Sequence, residues 1–366
     1  MRIAQICPLM EAMPPKLYGG TERVVSWLTE ELVALGHDVT LFASGDSVTS
    51  ATLAPMRDQA IRLDPAVRDP SALHYRMIEQ VYRRKDEFDV LHSHLDYFPL
   101  SLLTRQNVPF LTTLHGRLDL PDYVEIFSTF RQAPFVSISN SQRTPVLDLN
   151  WLRTVPHGMP ADLLTPLPVK QEYAAFLGRI CPEKGIDKAI RIAGRAGMKL
   201  KIAAKVDNAD KEYYDALIRP LIKANPFVEF IGEINDKQKP AFLSAAHTLL
   251  FPIGWPEPFG LVMIEAMACG TPVIAFRSGS VPEVIDDGVS GFIVSDEDEA
   301  VAAAARLHRL DRSEVRATFD RRWTARRMAD DYIDLYTALA RPKPANPNLA
   351  NPNLANSVPR LRAVNG

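Results

Sequence analysis

The chain has 366 residues, 46% hydrophobic and 23% charged, with a formal net charge of −2. This length predicts two domains, each able to bury a core, and the near-neutral balance excludes a global basic field for nucleic acid. No run reaches the roughly 18 apolar residues of a membrane span, although a peripheral membrane contact stays compatible with the sequence.

The N-terminal half alternates strand and helix. Residues 2–7 read as a first strand, since this apolar run is too short for a signal peptide. Thr21 is placed to cap a helix whose apolar face is Val24, Val25, Leu28, Leu32 and Leu35, and Gly36 ends it. Strands follow at 39–43, 89–92, 110–114 and 135–138. A proline-rich stretch, 159–171, reads as a linker. The alternation then restarts, with strands at 173–177, 200–204, 227–231, 248–251, 272–276 and 291–294 and helices at 186–195 and 211–223. A last helix, 323–340, carries Met328, Tyr332, Leu335, Tyr336 and Leu339 on one side. Residues 341–366, with Asn-Pro-Asn-Leu-Ala twice, have too little apolar surface to fold and are expected to be disordered. Strands alternating with helices imply parallel, doubly wound sheets, here two Rossmann-like halves facing a cleft. Cys7, Cys181 and Cys269 form an odd, scattered set that predicts reduced thiols and a cytoplasmic protein.

Several loops carry chemistry. Tyr18-Gly19-Gly20-Thr21-Glu22 joins the first strand to the first helix, where glycines let backbone N–H groups approach an anion. Gly178-Arg179-Ile-Cys-Pro-Glu-Lys184-Gly185 also joins strand to helix, and Arg179 and Lys184 can neutralise a diphosphate. Glu257-Pro-Phe-Gly-Leu-Val-Met-Ile-Glu265 sets two carboxylates eight positions apart around a tight turn, the second in a helix starting near Leu261 and stopped by Gly270. The helix start favours a phosphate and the carboxylates accept from hydroxyls, which together describe a nucleotide sugar. His92-Ser-His94-Leu-Asp96 also opens the metal site of some hydrolases, but position 97 is Tyr where that pattern has another histidine. Asp296-Glu-Asp298 reads as a helix cap rather than a metal site. Neither G-x-G-x-x-G nor a P-loop pattern is present.

The E-x7-E spacing, the G-R-x-x-x-E-K-G loop and the Gly-Gly turn resemble retaining glycosyltransferases of the GT-B fold, family 4. The Tyr-Gly-Gly-Thr-Glu form resembles a subgroup that includes the avilamycin-type antibiotic glycosyltransferases. The resemblance implies a domain at 1–165 on the acceptor side, a nucleotide-sugar domain at 166–320 and a helix at 321–340 that crosses back. It implies transfer of a sugar from a nucleoside diphosphate sugar, UDP before GDP, to a hydroxyl of a glycan, lipid-linked or small-molecule acceptor, with no metal and no cofactor. It gives catalytic roles to His115 and Glu257, and places the diphosphate at Gly19, Gly20, Arg179 and Lys184. It places donor sugar and ribose at Glu257, Phe259, Gly260, Leu261, Val262 and Glu265. Ala204 stands where the family usually has glycine, and Lys205 beside it adds a donor. A GT-B epimerase or phosphorylase, a non-catalytic binding subunit, and a metal-dependent hydrolase using His92 and His94 remain the alternatives.

Overall fold

The computed structural model describes residues 1–16 and 19–340. Tyr18 and the segment 341–366, expected above to be disordered, lie outside the described residues. Seven parallel strands form the first sheet: β1 Arg2–Ile6, β2 Asp38–Ser44, β3 Thr52–Arg57, β4 Val90–Ser93, β5 Phe110–Thr113, β6 Phe135–Ser137 and β7 Trp151–Thr154, in the order β3-β2-β1-β4-β5-β6-β7. Six form the second: β8 Tyr173–Arg179, β9 Leu200–Lys205, β10 Val228–Gly232, β11 Ala246–Phe251, β12 Val273–Phe276 and β13 Gly291–Val294, in the order β10-β9-β8-β11-β12-β13. In each sheet the order reverses beside the first strand, β1 or β8. That switch point is where ligands of open α/β sheets bind.

Apolar runs covered by helices on both faces give the inner strands, as parallel sheets require. The edge strands of the first sheet, β3 and β7, lack that signal. Thr52–Arg57 contains Pro55, which an edge tolerates because it need not complete a ladder. Trp151–Thr154 is only partly buried along its length. The predicted helix over 211–223 is three pieces, Lys211–Tyr213, a π-turn Tyr214–Ile218 and Arg219–Ala224. Pro220 disfavours a regular hydrogen bond there, and the wider turn accommodates it. Thr21 does not cap the first helix. Gly20–Ala34 begins two residues earlier than that cap would give, with Gly19 at the cap position, and no side chain caps it.

The last helix, Ala325–Ala340, packs against the first helix and β4 of the first sheet. It buries Met328, Ala329, Tyr332 and Tyr336 there. Its tyrosines keep their hydroxyls satisfied: Tyr336 lies 2.6 Å from His92 Nδ1 and accepts from Gln5 at 3.1 Å, and Tyr332 lies 2.9 Å from Thr113 Oγ1. The chain therefore passes between the halves twice, and the two passages touch. Met159 N–H donates to Trp323 O at 3.0 Å and Ala325 N–H donates to Met159 O at 2.8 Å. Two further contacts bridge the halves at the cleft's sides. Glu283 accepts from the N–H groups of Asn140 and Ser141, both at 2.7 Å, and Arg23 pairs with Asp236.

Candidate active site

A cavity of about 510 Å³ lies in the cleft between the halves. Its walls come from the carboxyl ends of strands and the loops after them. The glutamate loop is built by backbone constraint. Gly260 has φ +80 and stands at the start of the helix Leu261–Ala268. A Cβ there would fall 2.7 Å from Met263 Cε, a flexible side-chain end that can shift, so it is the left-handed turn that calls for glycine. Ser280 pins the loop from behind: its N–H donates to Glu257 O at 2.9 Å and its hydroxyl donates to Phe259 O at 2.8 Å.

The basic loop is stitched to the glutamate loop. Gly254 N–H donates to Glu183 O at 2.7 Å. Lys184 Nζ then reaches Glu257 Oε2 at 2.5 Å, and Trp255 Nε1 donates to the same oxygen at 3.1 Å. Glu257 is 9% exposed and Glu265 5%, so both carboxylates are aimed inward with partners rather than solvated. Glu265 Oε1 accepts from Lys239 Nζ at 2.6 Å. Across the cavity, Gly20 faces the start of the glutamate helix, and a Cβ on it would stand 3.8 Å from Leu261 Cδ1. Two helix starts therefore converge on one space, each with outward N–H groups and positive potential.

Of the residues singled out in the sequence, Gly19, Gly20, His115, Lys184, Glu257, Phe259, Gly260, Leu261, Val262 and Glu265 all line this cavity. Arg179 is the exception. It follows the lining residue Gly178 on β8, but it is not itself among the described lining residues, and its guanidinium stands 3.4 Å from Asp210. Lys205 does line the cavity, beside Ala204, with Nζ 3.5 Å from Asp207. The sequence reading had no signal for Arg23, Asp236 and Lys239, which also line it. It also passed over His157, whose place at a chain crossing no motif announces.

The histidines form one buried hydrogen-bonded set. His92 Nε2 lies 2.8 Å from Thr113 Oγ1, His94 Nδ1 lies 2.8 Å from His115 Nε2, and His94 Nε2 donates to Gln5 Oε1 at 2.8 Å. The His115 and His157 rings stack at 5.2 Å, and His157 meets Phe259 edge-on at 4.9 Å. Burial holds His92, His94 and His157 well below the usual imidazole range and His115 down at about 3, so all four rings are neutral. A hydrolase metal site would need three or four convergent ligands. No such group occurs among the described residues, and His92 and His94 are hydrogen-bonded to Gln5 and Thr113 of the first half and to Tyr336 of the last helix. Asp296 caps the helix Glu297–Ala304 by accepting from Glu299 N–H, as its position suggested, and Asp298 pairs with Arg195.

Comparison with known proteins agrees with this geometry. The family model for glycosyl transferases group 1 matches residues 165–324, and that for glycosyltransferase family 4 matches residues 18–151. The chain is 30% identical to D-inositol 3-phosphate glycosyltransferase of Mycolicibacterium smegmatis over 50% of its own length and 43% of that protein's. It is 25% identical to glycogen synthase of Mycobacterium tuberculosis, covering 90% of this chain and 95% of that one. Among solved structures it resembles sucrose-phosphate synthase of Thermosynechococcus elongatus, with a TM-score of 0.75 at 20% identity over 92% of this chain and 98% of that one. It also resembles AviGT4, a glycosyltransferase involved in avilamycin A biosynthesis, at 0.66 and 22% over 93% and 98%. Anabaena HepE in complex with UDP-glucose aligns at 0.70 and 17% over 93% and 100%. Two family models that between them take in most of the chain, on two parallel-sheet halves about a shared cleft, establish that it belongs to the GT-B glycosyltransferases of family 4.

Proposed function

We propose that this glycosyltransferase moves a sugar from a nucleoside diphosphate donor to an acceptor hydroxyl, with retention of configuration and without a metal ion. One observation carries the reading: Lys184, Glu257 and the start of the glutamate helix meet Gly20 of the opposite half across a single cavity. Glu265 accepts the ribose hydroxyls and Glu257 those of the donor sugar. The N–H groups from Phe259 to Val262 and the Gly19–Gly20 turn receive the diphosphate. Lys184 has three donors, so it can serve the phosphate while it still orients Glu257. Lys205 adds a second cation on the same wall. Arg179, held toward Asp210, gives longer-range charge to the same site.

In this mechanism the chemistry is electrostatic. Negative charge grows on the departing phosphate oxygen, and fixed cations and amides are already aimed there. The acceptor approaches on the face the leaving group departs from and gives its proton to that oxygen. The neutral His115 ring, beside the sugar, supplies a polar wall with no charge of its own. Closure of the cleft over the donor would keep water from the activated sugar. UDP is the first nucleotide to test, because a structural neighbour was solved with UDP-glucose.

The test has three parts. A thermal-shift screen of UDP, GDP and ADP with their sugars identifies the donor, since a ligand that binds only the native state stabilises it. Transfer is then assayed in EDTA and is expected to persist. Proton NMR of early product reads the anomeric coupling, and an α-linked product is expected from an α-linked donor. Inversion would refute the retaining mechanism, and loss of transfer on chelation with rescue by divalent metal would refute metal independence.

A further inference from the structure

Lys239 belongs to no motif. It sits at the start of a six-residue helix, Lys239–Ser244, between β10 and β11. Its side chain is only 10% exposed, although a lysine there could extend into solvent. Two carboxylates hold it: Glu265 Oε1 at 2.6 Å and Asp236 Oδ1 at 3.1 Å. Asp236 pairs in turn with Arg23, which comes from the first helix on the opposite side of the cleft. All four side chains line the cavity, in alternating charge.

The chemistry of Glu265 gives this chain of contacts a purpose. A carboxylate recognises a ribose diol only when its plane and lone pairs are fixed. A glutamate has three rotatable bonds before that plane, and freezing them costs free energy when the ligand binds. An ammonium on one oxygen removes that freedom in advance and leaves the remaining lone pairs for hydroxyls. Lys239 itself is anchored by Asp236, so it cannot swing away with Glu265. Arg23 then ties the anchor to the other half of the molecule.

We propose that Lys239 is a positioning residue for the nucleoside end of the donor: it fixes the carboxylate of Glu265 for the ribose hydroxyls, and Asp236 and Arg23 tie that arrangement to the opposite wall. The proposal rests on the donor reading above and deepens it by assigning ribose discrimination to a residue outside the two-glutamate motif. The role differs from phosphate binding. Lys239 is spent on two carboxylates, so its loss weakens recognition of the sugar of the nucleoside more than recognition of the phosphates.

The experiment compares the nucleoside diphosphate that binds best, among UDP, GDP and ADP, with its 2′-deoxy counterpart by calorimetry. For the unaltered protein the ribonucleotide is expected to bind about tenfold or more tightly than the deoxy form, the scale of a hydrogen bond to a charged group. In Lys239→Met that ratio is expected to fall to about two or less, mainly by weaker binding of the ribonucleotide. Lys239→Arg, which can still reach both carboxylates, is expected to restore most of the ratio. Asp236→Asn, which loosens the anchor but leaves Lys239 beside Glu265, is expected to give an intermediate ratio and keeps the test usable if the methionine variant does not fold. A ratio in Asp236→Asn and Lys239→Met equal to that of the unaltered protein overturns the proposal while the donor reading stands. No binding of any nucleoside diphosphate to the unaltered protein overturns the donor reading itself, and this proposal with it.

Discussion

Gly279 packs against the backbone of Glu257 so closely that a Cβ on it would lie 2.4 Å from both Glu257 N and Glu257 O. Its φ of +55 is also in the left-handed region, so an added side chain is strained twice. The loop after β12 is thus the mould for the turn that presents the first glutamate.

Gly279→Ala is expected to destabilise the protein by about 2 kcal/mol or more, combining the left-handed penalty with a clash against backbone that cannot rotate away. It is also expected to raise the donor KM, because Glu257 must shift. Urea titration and donor kinetics read the two effects separately. Normal stability together with a normal KM would show that the loop yields freely and is not a mould.

Lys184→Ala is expected to lower turnover about 10²-fold at saturating donor, the scale for loss of a fixed charge stabiliser. Arg179→Ala is expected to cost less, since its guanidinium is directed to Asp210 rather than into the cavity. Both variants should fold, because neither side chain is part of a hydrophobic core. A larger loss at Arg179 than at Lys184 would reverse the assignment of the two cations.

Asp96 offers a pH test away from the diphosphate. It follows β4 in a left-handed conformation, φ +48, and burial pushes its carboxyl up to about 6. Between about pH 4 and 6 the native state holds a proton that the unfolded chain has released, so stability from this group is present below about 4 and lost as pH rises through 6. Asn tolerates the same backbone region without the charge. Asp96→Asn is therefore expected to gain about 3 kcal/mol at pH 7.5 and close to nothing near pH 4. Denaturant midpoints at the two values decide it, and no gain at the higher pH would refute the assignment.

The histidine set gives the opposite sign. His115 titrates at about 3 when folded, and burial lowers its three companions as well. Below about pH 6.5 the unfolded chain takes up protons that the native state refuses. Stability is expected to fall with acid by about 1.4 kcal/mol per pH unit for each such ring. Urea midpoints at pH 7.5 and 5.5 measure this. A midpoint unchanged between them would mean that the rings titrate normally.

The inner strands were legible because parallel strands covered on both faces are apolar along their length, and they fall within two residues of their sequence-based bounds. Most of the site was legible because glycine turns, a helix start and paired carboxylates are local patterns. What escaped was long-range. Nothing in the spacing of Arg23, Asp236, Lys239 and Glu265 marks them as neighbours, since Arg23 and Asp236 are 213 positions apart. Strands β3 and β7 of the first sheet escaped for a different reason: they are only partly buried, so the segments containing Pro55 and Arg153 carry no continuous apolar run.

The return of the last helix to the first sheet has a consequence for synthesis. A ribosome delivers Gln5, His92 and Thr113 early, but Tyr332 and Tyr336 only after the entire second sheet has emerged. Until then the hydroxyls that complete this buried polar cluster are missing. The usual order, in which an N-terminal unit folds first and waits, is therefore closed to this chain in its final form. A nascent chain stalled at residue 320 would carry a first half with its histidines hydrated and its helical cover absent. Release of such fragments is expected to yield a protease-sensitive first half, which becomes resistant only when the last twenty described residues are supplied.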